Sequence, residues 1–302
     1  MPASVAVVVL TWNHVDDTLE CLASVARQRY NSLHTIVVDN GSSDDTVSRV
    51  RAEFPTAELL LNQRNLGYAA GNNVGLRHAL GQQHEYVMVL NNDTVLEPDC
   101  IGELVSDLRA HPETAAVAPK ILFDDAPHHI YYAGGVISGG WHVNHRGFAQ
   151  EDSTQFDVSE STAWLTGCAV LMRRESLRRI GMFEPKFFLL FEDTDWSSRA
   201  LAAGYTLRYV APARLRHKVS RGFGSSRTPL YIYYYTRNNL LWIERTFSWR
   251  QKRWMLRDAI RFGLDSPILR EGNPSPERAP ELKRAAQRGV RDYVLRRFGK
   301  RM

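Results

Sequence analysis

Four short β-branched and aliphatic runs, most of them followed by residues at helical spacing, occupy the first hundred positions, and this alternation constrains the fold more than anything else in the chain. Val5 to Leu10 is an unbroken apolar run, as expected of a strand covered on both faces. Val15, Leu19, Leu22 and Ala26 then recur at helical spacing. The second run, Thr35 to Val38, ends in the polar stretch Asp39-Asn40-Gly41-Ser42-Ser43-Asp44-Asp45, whose last residues suit the cap of a helix beginning near Thr46. Leu59 to Leu61 predicts a third strand, and a glycine-punctuated helix is expected around Ala69 to Leu80. The fourth strand, Tyr86 to Leu90, runs into Asn91-Asn92-Asp93. Repeated strand-helix-strand units predict an α/β fold, with a mostly parallel, Rossmann-like sheet flanked by helices.

The later sequence is less regular. Residues 124 to 162 are polar, rich in Gly and His and weakly periodic, which predicts long loops beside a cleft. Trp164 to Met172 is apolar again. Phe187 to Phe191 leads into Glu192-Asp193-Thr194-Asp195-Trp196, with a helix expected to stop at Gly204 and a last strand over Thr206 to Val210. Gly272 to Pro280 reads as a linker to a final basic helix, Glu281 to Phe298.

Charge divides the chain before Arg237. Residues 1–236 hold 21 Lys/Arg against 26 Asp/Glu, whereas 237–302 hold 17 against 7, so a net charge of +5 conceals a strongly basic tail. The expected organisation is a body, 1–236, and a basic amphipathic helical extension, 237–302. Trp242, Phe247, Trp249, Trp254, Met255 and Phe262 interleave with the basic residues of that tail. Such a pattern suits nucleic acid or an anionic membrane surface. No nucleic-acid module accompanies it, and Trp beside Arg fits an interfacial helix. The alternative is a helical cap whose apolar stripe packs on the body. No apolar run approaches the roughly 18 to 20 residues of a membrane span, and no basic-then-apolar leader opens the sequence. Cys21, Cys100 and Cys168 are odd in number, well separated and set among apolar residues, so free buried thiols in a reducing compartment are expected. The expected location is cytoplasmic, peripheral at the inner face of the membrane.

Open α/β sheets present ligand crevices at the C-terminal ends of their strands, where Asp39 and Asp93 both fall. Beyond this the sequence resembles family 2 glycosyltransferases of the GT-A fold, in particular their rhamnosyltransferase-like branch. The matching stretches are VVVLTWNH (7–14), VVDNGSSDDT (37–46), NLGYAAGNNVGL (65–76), LNNDT (90–94), WLTGCAVLMRR (164–174), FFLLFEDTDWSSRALAAGY (187–205), RHKVS (216–220) and YYYTRNNLL (233–241). Each is weak alone; their ordered succession over residues 7–241 is specific.

The resemblance implies a nucleotide-sugar donor, a divalent cation (Mg²⁺ or Mn²⁺), a saccharide or lipid-linked acceptor and single displacement with inversion. It assigns Thr11, Asn13 and Asp39 to the base and ribose, and Arg64, Gly67 and Asn72 to the loop along the nucleotide. Asn91, Asn92 and Asp93 occupy the position of the family's DxD motif, with Asn in place of the first Asp. His217 matches the histidine after the core and would join Asp93 as a metal ligand. In the Glu192-Asp193 pair the second carboxylate, Asp193, matches the general base, although it also stands where a helix cap would. Trp164, Thr166, Gly167 and Glu192 match the wall between donor and acceptor. Arg237 could meet a diphosphate or an anionic acceptor, or anchor the tail to the body. The branch resemblance points to L-rhamnose from dTDP-L-rhamnose and to cell-surface glycan synthesis. A nucleotidyltransferase, which would leave the acidic cluster at 192–195 unexplained, and a silent glycan- or nucleotide-binding domain are the alternatives. A dinucleotide oxidoreductase is disfavoured because Thr11-Trp12-Asn13 stands where a GxGxxG turn would be needed.

Overall fold

The computed structural model describes residues 2–219, 228–265 and 279–301. The expected strand and helix succession is present as β1 (Val5–Thr11), α1 (Val15–Ala26), β2 (Leu33–Asp39), α2 (Thr46–Glu53), β3 (Glu58–Leu61), α3 (Tyr68–Gly81) and β4 (Tyr86–Asn91). Further along lie β5 (Thr94–Leu96), α4 (Cys100–Ala110), β6 (Thr114–Phe123), β7 (Ile130–Tyr132), β8 (Gly135–Ser138), β9 (His142–His145), β10 (Glu160–Ser161) and β11 (Ala169–Arg173). The chain continues through α5 (Arg174–Ile180), a 3-10 turn (Pro185–Phe187), α6 (Glu192–Ala202), β12 (Thr206–His217), α7 (Pro229–Thr246), α8 (Trp249–Asp265) and α9 (Ala279–Val294).

The main path of the central sheet runs β10-β12-β6-β11-β4-β1-β2-β3. β4, β1, β2 and β3 are mutually parallel, as are β12 and β6, whereas β11 is antiparallel to both of its neighbours. β1 is buried along its whole length, as its unbroken apolar run requires. α3 packs close over it because glycines face the sheet: a Cβ at Gly75 would lie 2.3 Å from Val8, and one at Gly71 would lie 2.7 Å from Leu10.

Register aligns the strand ends. Thr11 pairs with Asp39, and Leu10 with Asn91, so three polar strand termini lie side by side at one edge. β12 delivers a fourth: it runs seven residues past the expected Val210, to His217, which pairs with Thr94. Pro212 reads as a strand breaker, but the register shift between Val210 and Arg214 absorbs it as a bulge.

The 124–162 stretch is not merely looped. It forms β7, β10 and the β8–β9 hairpin, which turns through Gly139 and Gly140 at φ 55° and 82°. Its strands are too short to give a legible alternation. The boundary placed before Arg237 falls inside α7, a single helix whose residues 232–234 and 236–243 are buried. The proposed linker at 272–280 lies outside the described residues except for its last two positions, and the last helix begins at Ala279.

Candidate active site

At the donor-side edge the turns after β1 and β2 interlock. Asn13 takes a left-handed conformation (φ 60°), which lets its amide donate to the Ser42 hydroxyl at 2.7 Å and its Oδ1 accept from the Ser43 N–H at 2.8 Å. Asp39 Oδ2 accepts from the Gly41 and Ser42 amides at 3.1 Å each, while Oδ1 is buried with no hydrogen-bond partner. A buried, unsatisfied carboxylate oxygen is costly unless something supplies an N–H or O–H. The Asn92 amide donates to the Thr18 hydroxyl at 3.0 Å and to the Thr11 hydroxyl at 3.4 Å, tying the DxD-like turn to β1.

The other residues of the nucleotide loop divide. Arg64 is exposed, with its backbone packed against Gly41. Gly67 is explained by packing: its φ is 83°, and a Cβ there would lie 2.3 Å from Phe188. Asn72 is fully buried, its amide donating to the Tyr68 carbonyl at 3.0 Å and its Oδ1 left without a partner.

Asp93 and His217 form the second group. His217 Nε2 lies 3.1 Å from Asp93 Oδ1, and the Lys218 amide donates to the Asp93 carbonyl. Burial raises the Asp93 pKa, but the His217 charge together with the hydrogen bonds to the carboxyl outweighs it and holds the carboxyl below its usual range. Burial likewise opposes protonation of His217, and the Cys168 sulfur and Asp93 carboxylate against the ring reverse this, holding it well above the usual imidazole value. Asn91 Oδ1 and His217 Nδ1 are buried without hydrogen-bond partners beside this pair.

The third group stands at the N-terminus of α6. Asp193 Oδ2 accepts from the Gly167 amide at 2.8 Å, and Oδ1 accepts from the Thr194 amide at 2.6 Å. Burial raises its pKa, only partly offset by those donors. Burial and then the neighbouring Asp193 charge push Glu192 well above the carboxylate range. Glu192 is thus the carboxyl biased more strongly toward its protonated form, whereas Asp193 keeps two amide donors that favour its ionised form. Trp164 is buried, its ring against Gly135 and its indole donating to the Val136 carbonyl at 3.4 Å. Thr166 is buried too, its hydroxyl accepting from the Cys168 amide at 3.3 Å.

The three groups meet around residues 167 and 168. The Asn91 amide donates to the Cys168 carbonyl at 2.9 Å, one residue from the amide that holds Asp193. Tyr68 closes this corner by donating to the Gly167 carbonyl at 2.5 Å; burial raises its pKa, followed by the charges of Glu192, Asp193, Cys168 and Asp93. Residues 167 and 168 thus connect the Asn91 end of β4 with the Asp193 end of α6. Tyr68 lies within a matched motif but was not singled out, because a tyrosine opening a helix reads equally well as packing.

Arg237 is a correction. It is fully buried, and its guanidinium is engaged by the protein itself: it donates to the carbonyls of Gly299 (2.8 Å), Phe187 (2.9 Å) and Lys186 (3.3 Å) and lies over the Tyr234 ring. Of the alternatives open from sequence, it takes the anchoring one. Its neighbour Asn238 donates to the carbonyls of Phe187, Leu189 and Leu190 at 2.6 to 2.9 Å. That segment carries left-handed backbone at three non-glycine residues, Phe188, Leu190 and Phe191 (φ 64°, 67° and 73°), just before the acidic pair. Strain of this kind persists only where the surroundings hold it.

The profile described as glycosyl transferase family 2 matches residues 6–181. The chain is 24% identical over 300 residues to N-acetylglucosaminyl-diphospho-decaprenol L-rhamnosyltransferase of Mycobacterium tuberculosis, covering 92% of this chain and 96% of that one. It is 22% identical to dTDP-rhamnosyl transferase RfbF of Shigella flexneri, over 72% of this chain and 70% of that one. Among solved structures, mannosyltransferase PcManGT from Pyrobaculum calidifontis in complex with GDP-Man and Mn²⁺ superposes with a TM-score of 0.61 at 19% identity, covering 97% of this chain and 88% of that one. GalNAc-T7 with UDP, GalNAc and Mn²⁺ gives 0.63 at 14% identity, over 95% and 55%. The architecture is of the GT-A type.

Two outcomes follow from the geometry. Asn238→Ala leaves three carbonyls without their shared donor and should lower stability in urea unfolding by about 2 kcal/mol or more, with turnover falling alongside. A protonated Glu192 binds its proton more tightly folded than unfolded, so its contribution is most favourable below about pH 4.3 and is lost as pH rises toward the higher folded value. Glu192→Gln should therefore be at least as stable as wild type at pH 7. Thermal scans from acid to neutral pH should show the wild-type deficit growing with pH.

Proposed function

The chain belongs to glycosyl transferase family 2, and from that membership we propose that it transfers L-rhamnose from dTDP-L-rhamnose to a lipid-linked saccharide during cell-surface glycan synthesis. The donor and acceptor follow the printed names of the relatives from Shigella flexneri and Mycobacterium tuberculosis. The observation that carries the reading is the separation of charge within one cleft. Asp193, held by the Gly167 amide, stands apart from the Asp93–His217 pair, yet the two are joined through residues 167 and 168.

In this reading the unsatisfied Asp39 Oδ1 accepts the imide N–H of thymine, with the Thr11–Asn13 turn beside it. Asp193 takes the proton from the acceptor hydroxyl as that oxygen bonds to the anomeric carbon. The bond from this carbon to the diphosphate breaks with its electron pair on the leaving group, inverting the configuration. A base of raised pKa is a better proton acceptor while still ionised near neutrality. The protonated Glu192 adds no second negative charge against the incoming oxygen.

A divalent cation fits the Asp93–His217 pair. Among the described residues no cluster of three or more His, Cys, Asp and Glu side chains forms a complete cage. Two protein donors leave the rest of the shell to diphosphate oxygens and water, the usual arrangement for a hard cation on a nucleotide. When bound, the ion neutralises charge on the departing diphosphate. Asn91 in place of a first acidic residue keeps the protein's own negative charge low at this point.

No described helix is long and apolar enough to cross a membrane. A lipid-linked acceptor would be met at a membrane surface.

Asp193→Asn is expected to lower kcat by about a hundredfold or more while the Kd for dTDP-L-rhamnose stays within a few-fold. Transfer close to wild type would remove Asp193 as base, and no turnover of this donor by the wild type would remove the sugar assignment. Excess EDTA should abolish transfer, and Mn²⁺ or Mg²⁺ should restore it; full activity in EDTA would remove the cation.

A further inference from the structure

The two faces of α8 differ completely. Met255 and Ala259 are buried against the body, whereas Trp249, Arg250, Arg253, Trp254, Arg257 and Arg261 are exposed. Spacings of three and four residues (249, 253, 257 and 250, 254, 257, 261) place these six side chains on one outward stripe. Trp249 is 64% and Trp254 50% exposed, unusual for the largest apolar side chain, and Arg253 lies over the Trp249 ring at 4.9 Å. None of the four arginines of the stripe makes an ion pair with another described residue. The stripe therefore carries four cations and two indoles facing solvent.

We propose that this face of α8 docks on the anionic headgroups of a lipid bilayer, with the arginines on the phosphates and Trp249 and Trp254 in the interfacial layer. Charge complementarity argues for an anionic partner. Helix geometry argues for a planar one, because the four arginines and two tryptophans form a straight band along a rigid rod, and indoles prefer the headgroup boundary. Each arginine near such a surface contributes a severalfold gain in binding, so four together suffice for salt-sensitive, reversible attachment. Composition alone marks a basic and aromatic tail without saying which residues face outward. The structure withdraws Trp242, which is fully buried, and Met255, and leaves α8 as the surface.

The docked helix is joined to the cleft. A Cβ at Gly140, in the turn of the β8–β9 hairpin, would lie 2.8 Å from Met255, and the Trp141 indole donates to Asp258 at 3.1 Å. The other end of the hairpin packs on Trp164, three residues before Gly167. On the sugar-transfer reading, docking through α8 brings the acceptor wall into fixed relation with the membrane that presents a lipid-linked acceptor.

The test is sedimentation of the full chain with phosphatidylcholine vesicles containing about one third phosphatidylglycerol, against pure phosphatidylcholine. The wild type should bind the anionic vesicles and be released by high salt. Arg253→Glu with Arg257→Glu should weaken binding roughly tenfold or more, whereas Arg27→Glu with Arg51→Glu, the same change of charge on exposed residues of the body, should leave most of it. Trp249→Ala with Trp254→Ala should also weaken it. No binding by the wild type, equal binding by the α8 and body variants, or displacement of the vesicles by a single-stranded oligonucleotide bound more tightly would each overturn the proposal. Transfer to a detergent-solubilised acceptor, measured on the same variants, reports separately on catalysis. It should be unchanged in the α8 variants, and a parallel loss of transfer and vesicle binding would trace the effect to the body and overturn the surface assignment.

Discussion

Two successive residues just before β11 hold the cleft together. The Cys168 carbonyl accepts from Asn91, at the end of β4, and the Gly167 amide donates to Asp193, at the start of α6. Because β11 is antiparallel to β4, its N-terminal end meets the C-terminal end of its neighbour, and a chain segment far away in sequence arrives beside the DxD-like turn. A hydrogen bond from a peptide N–H to a carboxylate is among the stronger polar contacts and has little rotational freedom on the donor side. The position of the Asp193 carboxylate is consequently set by sheet register rather than by a flexible loop. Gly167 suits this corner sterically: a Cβ there would lie 3.0 Å from the Tyr68 hydroxyl and 3.4 Å from the Asp193 carboxylate.

The same carboxylate is approached from its other side by a strained segment. Three left-handed, bulky residues precede Glu192, and their cost is offset by Asn238 and Arg237, whose donors meet the carbonyls of residues 186, 187, 189 and 190. Gly67 admits Phe188 from below, and the Phe188 carbonyl accepts from the Tyr68 amide. α7 is thus packed into the same core as this segment, and the compositional break before Arg237 marks a change of surface charge within that core. Burial is nearly continuous across it, from Ile232 to Ile243.

What was legible in the sequence is what local pattern encodes. The β-branched runs of β1, β2 and β4 fixed the parallel half of the sheet, and polar residues directly after such runs located Asp39 and Asp93. The helix following Glu192-Asp193 was legible from the residues up to Gly204, whereas the choice of Asp193 within the pair came from the family resemblance. Less legible were features set by tertiary partners. β6 contains Pro119 and the fully buried Lys120, which pairs with Asp152 and Asp157, so its apolar pattern is interrupted by a charge whose partners lie more than thirty residues away. β12 hides its true end behind Pro212. Arg237 has the same chemistry whether it binds a phosphate or caps carbonyls, and only its complete burial decides. Tyr68 gave no signal of its own, since its importance lies in the single carbonyl it reaches.

The distribution of protons across the cleft follows from the same burial. Glu192 and Asp193 are adjacent in sequence and share a helix N-terminus, yet Asp193 accepts from the Gly167 amide outside its turn and from the Thr194 amide within it, while Glu192 Oε2 is buried without a partner. Desolvation therefore weighs fully on one carboxyl and only partly on the other, and the proton settles on Glu192. On the far side of Cys168, Asp93 keeps its charge because His217 faces it at 3.1 Å. Burial thus raises the pKa of the two carboxyls at the start of α6, while that of the one just after β4 is lowered by its histidine partner. Had Glu192 shared the Gly167 amide, the two carboxyls would lose the difference in hydrogen bonding that now separates them.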